Sequence, residues 1–372
     1  MLAWRNLIHD KVRLGVTLTG IVFAVVLIVV EIGLFIGFTT TTSGLIDRSG
    51  ADLWITAKRV PYIEQGVPFS ERKLSVVLAT PGVAEAQKYV ARFSQWKRPD
   101  GRQENVQVVG FNLASRLGAP WNVVSGTAVD LKAPEAIFVD ELYRDKLGVT
   151  HLGQVVEIRG RRARVVGFTH GIRAFTTAPY VFTSFKNAQD YVSLAEDQTL
   201  YILVKAAPGV SLAALREALA ARLQNVDIVT NAGFSRMTRF YWMFTTGAGL
   251  AVLLAALLWL IVGVVVVAQT IYATTMDHIR EYVTLKAMGA TNRYLYGVIV
   301  QQAVGSAVIG YVLGMAVSWF VVRGSERGGA AIVLPPEMAA GMLGLTVAMC
   351  VVAAIVSIHK VTRLDPATVF KG

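Results

Sequence analysis

The chain has 372 residues, of which 54% are apolar and 16% charged, and its formal net charge is +11. Soluble domains hold about 45–50% apolar and about 25% charged residues, so the surplus goes into lipid or into a very large core. A basic balance on a membrane protein fits cytoplasmic loops and anionic lipid rather than nucleic acid, and the single cysteine, Cys350, excludes an internal disulfide.

In chain order, Arg5, Lys11 and Arg13 precede a first apolar run, 14–38, broken by one charge at Glu31. About 20 apolar residues cross a hydrocarbon core about 30 Å thick. A cleaved signal peptide would share the basic start, but its apolar region spans only about 7–15 residues, so 14–38 reads as span one. Glu31 is the one ionisable residue well inside a span. Such a residue is costly in lipid; it serves a substrate or gating role, or is a tolerated acid at a helix interface.

Residues 41–236 have soluble composition and alternate strands with helices. Ala51–Lys58 reads as a strand, Ser70–Ala79 as a helix stopped by Pro81-Gly82, and Val83–Trp96 and Glu104–Phe111 as extended. Near the end, Leu200–Lys205 reads as a strand. Ser211 is placed to cap a helix through Leu223, and a strand follows at Val226–Val229. These outer parts, 41–111 and 197–236, are expected to form one α+β lobe, with 112–196 inserted as a second, β-rich lobe. Within the insert, Val155–Arg159 and Arg164–Phe168 flank Gly160 as a hairpin with a longer loop. Its Arg159, Arg161, Arg162 and Arg164 form either a contact for lipid headgroups or an acidic partner, or a solvated tip.

Three more runs meet the span length: 242–271, 296–322 and 338–358. Phe240, Tyr241, Trp242 and Phe244 stand where the second of these begins. They read as an interfacial belt or as ordinary packing. Span three carries Gly310 and Gly314 four residues apart, with Ala303 and Ala307 in the turns before. Small residues at this spacing let helix backbones approach, as a dimer seam or within one chain. Lys and Arg flank the N-terminus, the 271–296 loop and the tail 359–372, which makes both termini cytoplasmic and 41–236 extracytoplasmic. The expected fold class is therefore an α-helical membrane protein with four transmembrane helices plus an extracytoplasmic α+β domain.

The five histidines are scattered without metal-ligand spacing, and there is no G-x-S-x-G, H-E-x-x-H or G-x-x-x-x-G-K-[ST] motif. No catalytic or metal residue is assigned, and no cofactor is expected in this chain. The loop 276–290, which includes DHIREYVTLKAMGA, sets apolar Ile279, Val283, Leu285 and Met288 among Arg280, Glu281 and Lys286. That pattern suits a short amphipathic helix ended by Gly289, which either passes force from a docked partner or rests on the interface.

This loop resembles the R-E-x-x-x-L-(R/K)-A-(I/M)-G-A motif of FtsX/MacB-type ABC transporter permeases. The start, LAWRNLIHDKVRLGVTLTGI, resembles their N-terminal amphipathic helix (1–13 here), and RLDPATVF resembles their closing segment. ADLWI, FSQWKRPDGR and VQVVGFN resemble the DevC branch, named for a heterocyst glycolipid exporter permease. The resemblance implies a MacB-like periplasmic core domain and a homodimer in the inner membrane. It also implies a separate cytoplasmic ATPase that binds ATP and Mg, since this chain starts directly at the amphipathic segment. It makes 276–290 the coupling helix, with Arg280, Glu281, Leu285, Lys286 and Gly289 as the ATPase contact. A periplasmic adaptor (membrane fusion) protein and an outer-membrane channel would complete an efflux complex working by mechanotransmission. The rivals are an FtsX-like regulator of periplasmic cell-wall enzymes and a membrane sensor; a tail of about 14 residues leaves the latter no output domain.

Overall fold

The structure, a computed structural model, describes residues 11–277, 279–325 and 332–362. The expected 1–13 helix falls largely outside these residues, as does the end of the tail. The chain divides into two compact units, one spanning 37–249 and the other made of the apolar helices.

Twelve strands build the 37–249 unit: β1 (Leu53–Ala57), β2 (Phe69–Ser70), β3 (Val83–Lys97), β4 (Gln103–Phe111), β5 (Val123–Ser125), β6 (Ala136–Asp140), β7 (Val155–Ile158), β8 (Arg161–Thr169), β9 (Tyr180–Ser184), β10 (Gln198–Thr199), β11 (Tyr201–Ala206) and β12 (Val226–Thr230). Ten form one sheet in the order β12-β1-β11-β3-β4-β9-β6-β8-β5, with β7 pairing β3 and β8; β2 and β10 pair separately.

Alternation along β1 explains one end of this sheet. Leu53 and Ile55 face the helices Lys73–Leu78 and Leu212–Arg222, and pack with Val77, Ile202, Val204, Leu215 and Leu219. Trp54 points to the other face, against Tyr89, Tyr201 and Phe234, at ring-centroid distances of 5.5, 5.5 and 5.3 Å. Both faces are covered, so every residue of β1 is buried. The four strands β12-β1-β11-β3 with their two helices make a split β-α-β arrangement.

The outer part and the insert are not separate cores. β3 is 15 residues long; Val83–Tyr89 pairs with β11, while Val90–Lys97 pairs with β4. One apolar cluster joins Trp54, Tyr89 and Leu203 of the outer part to Phe138, Val165 and Phe182 of the insert. The insertion describes the path of the chain; the two expected lobes merge where β4 pairs in parallel with β9 and the far end of β3 pairs with β7.

Two local expectations are corrected. The β7–β8 loop is only Arg159-Gly160, both at positive φ (50° and 76°), the tight two-residue turn that matches strand twist. Ser211 precedes the helix Leu212–Arg222 without a side-chain capping bond.

In the other unit, helices Lys11–Thr42, Ala248–Asp277, Asn292–Ser325 and Pro336–Thr362 contain four segments long and apolar enough to cross a membrane. Span one is gripped by small residues. A Cβ added at Gly310 or Gly314 of span three would meet Ile21 at 2.5 Å or Val25 at 2.8 Å; one added at Gly263 of span two would meet Ile28 at 2.9 Å. The Gly310/Gly314 seam is thus used within the chain. Thr17 and Thr274 hydroxyls hydrogen-bond between spans one and two at 3.0 Å. Tyr311 Oη donates to the Ala339 carbonyl of span four at 2.8 Å.

The second long helix begins at Ala248, not at Trp242 as the apolar run suggested. Residues Tyr241–Thr245 form a π-helical turn, and Gly247 sits at φ 75° before the span starts. The reason is local packing of Tyr241 and Trp242 on Tyr62, Glu64 and Phe175.

Candidate functional site

Two places have distinctive backbone geometry: the elbow between the second and third long helices, and the π-helical turn Tyr241–Thr245 within the 37–249 unit.

The elbow is the helix Ile279–Ala287. Val283 is buried, and Ile279 and Leu285 pack against the apolar cluster of the spans. Its end is closed by a Schellman motif: Ala290 N–H donates to the Leu285 carbonyl and Gly289 N–H to the Lys286 carbonyl, both at 3.0 Å. Gly289 takes φ 94°, which a side chain would resist. Thr291 then caps the next helix, its hydroxyl accepting from Tyr294 N–H at 3.3 Å. Lys286 is half-buried, whereas Met288 is 71% exposed. Arg280 and Glu281 lie on this helix, and their side chains are outside the described part. The helix is anchored by one face and closed at its far end.

The π-helical turn belongs to an aromatic clasp around a buried carboxyl. The 3-10 turn Ile63–Gln65 is pinned by Tyr201 Oη donating to the Ile63 carbonyl (2.6 Å) and by Arg92 donating to the Gly66 carbonyl (2.9 Å). This sets Glu64 inward, only 7% exposed. Trp242 Nε1 donates to Glu64 Oε2 at 3.3 Å. Tyr62 stacks on Tyr241 at 4.0 Å, and Phe175 meets Trp242 edge-on at 4.4 Å and Phe38 at 5.4 Å. The turn is π-helical because Thr246 N–H reaches back five residues to the Tyr241 carbonyl (3.1 Å), which swings Tyr241 and Trp242 onto the domain. Burial pushes the Glu64 carboxyl up to about 7, against the lowering effect of its own backbone N–H and of Trp242. The expected aromatic belt is therefore divided: Phe240 and Phe244 are 60% and 55% exposed, while Tyr241 and Trp242 face inward.

Glu31 is half-buried on span one, two residues before Gly33, whose carbonyl accepts from Val333 N–H at 3.1 Å. The elbow, Glu31 and the Gly310/Gly314 seam occupy separate places, so the expected site residues do not converge on one centre. Glu64 carried no signal in the sequence, where VPYIEQG looks like an ordinary loop. Among the described residues no group of three or more His, Cys, Asp or Glu is placed to hold a metal ion.

Four apolar spans with a large α/β domain between the first two define a multi-pass membrane protein. The chain matches the family of MacB-like periplasmic core domains over residues 14–222 and that of FtsX-like permease C-terminal domains over residues 253–366. It belongs to the MacB/FtsX-type ABC transporter permeases. An uncharacterized ABC transporter permease of Mycobacterium tuberculosis strain H37Rv is 26% identical over 379 residues, covering 100% of this chain and 99% of the relative. One from Mycobacterium bovis is 22% identical over 376 residues, covering 99% and 97%. Among solved structures, the periplasmic region of MacB from Actinobacillus actinomycetemcomitans matches with TM-score 0.39 and 11% identity, covering 50% of this chain and 93% of that one.

Proposed function

We propose that this permease is the membrane subunit of an export or extrusion complex working by mechanotransmission. As an ABC transporter permease it works with a partner ATPase. On this reading that ATPase is a separate cytoplasmic subunit that binds ATP and Mg and docks on the elbow through Arg280, Glu281, Leu285, Lys286 and Gly289. Closing of the ATPase pushes the elbow. The push passes along span two to the extracytoplasmic domain, whose motion moves substrate outside the membrane. Two copies of the chain form a homodimer in the inner membrane, with both termini cytoplasmic. The domain meets an adaptor (membrane fusion) protein that leads to an outer-membrane channel. Placement near the DevC branch and a role for Glu31 are part of this proposal.

The observation that supports it is the elbow: a helix packed on the spans by Val283 and Leu285 and locked by the Gly289 Schellman motif transmits a push instead of absorbing it. The test is purification of the solubilised complex. A co-purifying ATPase and adaptor support export. An ATPase with a cell-wall hydrolase instead assigns the chain to FtsX-like regulation, and an absent ATPase overturns the reading.

A further inference from the structure

The clasp joins a titratable group to a backbone irregularity at the point where the chain leaves the large domain. Trp242 lies in the π-helical turn, and its indole is held by Glu64, Tyr62 and Phe175. π-turns recur at functional sites. A buried carboxyl fits this apolar, ring-lined place while it is neutral. Once ionised it needs water or a cation.

Among the described residues no ion pair reaches it. Arg92, from β3, spends a guanidinium N–H on the Gly66 carbonyl. The other titratable groups near Glu64 are Tyr62 on its own segment, Tyr180 on β9 and Tyr201 on β11, while Tyr241 of the π-turn stacks on Tyr62. Burial holds Tyr62 up at about 12, and Tyr180 and Tyr201 well above their ordinary value. These three stay protonated at neutral pH. Tyr62 and Tyr241 stack at 4.0 Å, which leaves no slot for an organic cation between them.

We propose that Glu64 is a proton-operated latch: neutral, it keeps the π-turn before span two clasped to the domain; ionised, it draws water and releases Trp242 and Tyr241. The ligand of this site is a proton from the side of the membrane that the domain faces. The latch rests on the geometry of the 37–249 unit alone, and it stands whether the complex exports or regulates.

The carboxyl near 7 in the closed clasp returns to its ordinary value near 4.5 when the clasp opens. Its folded value is raised, so the closed form loses stability as pH climbs from about 4.5 through about 7. By that linkage the opening constant rises roughly 30-fold between about pH 5.5 and about pH 8.5. The experiment is hydrogen–deuterium exchange on the full chain in lipid nanodiscs, with exchange normalised to intrinsic rates, followed at residues 62–66 and 241–246. Wild type is expected to lose protection there by roughly that factor at the higher pH. Glu64→Gln, of the same shape and still able to accept from Trp242, is expected to stay protected at both. Equal wild-type protection at the two pH values overturns the latch without reference to any variant, and so does an undiminished pH effect in Glu64→Gln.

Discussion

Gly310 of span three and Ile21 of span one touch so closely that a Cβ at position 310 would stand 2.5 Å from Ile21 Cγ2. The contact lies inside one chain, and it makes span one the member around which Gly310, Gly314 and Gly263 gather. In lipid no hydrophobic force drives helices together, so such close packing carries the association. Gly310→Val is therefore expected to overpack the seam and lower stability by about 1–3 kcal/mol. Gly341→Ala, in open space on span four, is expected to stay within about 0.5 kcal/mol of wild type. Thermal unfolding in detergent compares them, and equal behaviour of the two would remove the seam from the account.

Asp140 anchors the insert's end of the sheet. It is fully buried and accepts from Leu142, Gly171 and Ile172 N–H at 3.1, 3.2 and 2.7 Å, and from Thr169 Oγ1 at 2.9 Å. Asp140→Ala strands four donors, each costing about 1–3 kcal/mol when left unpaired, and is expected to unfold this region or raise its protease sensitivity sharply. Asp140→Asn keeps one acceptor oxygen and is expected to cost less. Limited proteolysis ranks the three chains, and an Ala variant as resistant as wild type would contradict the anchoring role.

The elbow carries the functional prediction. Proline fixes φ near −65°, whereas Gly289 sits at 94°, so Gly289→Pro is expected to break the Schellman closure. Lys286→Glu reverses charge on the same elbow without touching φ. Both chains are expected to insert normally and to leave ATP hydrolysis by the reconstituted complex no longer linked to transport. Transport and hydrolysis measured together decide it; unchanged transport in both variants counts against a coupling role.

The four spans were legible because an apolar run of that length has no other stable place. The elbow's end was legible because Gly289 follows the last periodic residue. The start of span two was not: Trp242, Met243 and Phe244 continue an apolar run, and only partners far along the chain, Tyr62, Glu64 and Phe175, turn part of it onto the domain. Glu64 was invisible for the same reason, since its indole partner lies 178 residues away. The single sheet was missed because a parallel pairing such as β4 with β9 joins residues far apart in sequence. Arg159 at positive φ defied the usual preference for Gly, Asn or Asp in a tight hairpin turn.

The proposed function places the domain on one face of the membrane and the elbow on the other. Cysteine labelling in intact cells tests it most directly, in a background where the buried Cys350 is replaced by alanine. Arg161→Cys, on the exposed hairpin, is expected to react with a membrane-impermeant maleimide applied from outside. Met288→Cys, on the exposed end of the elbow, is expected to react only after the membrane is opened. Labelling of both from the same side would contradict the account.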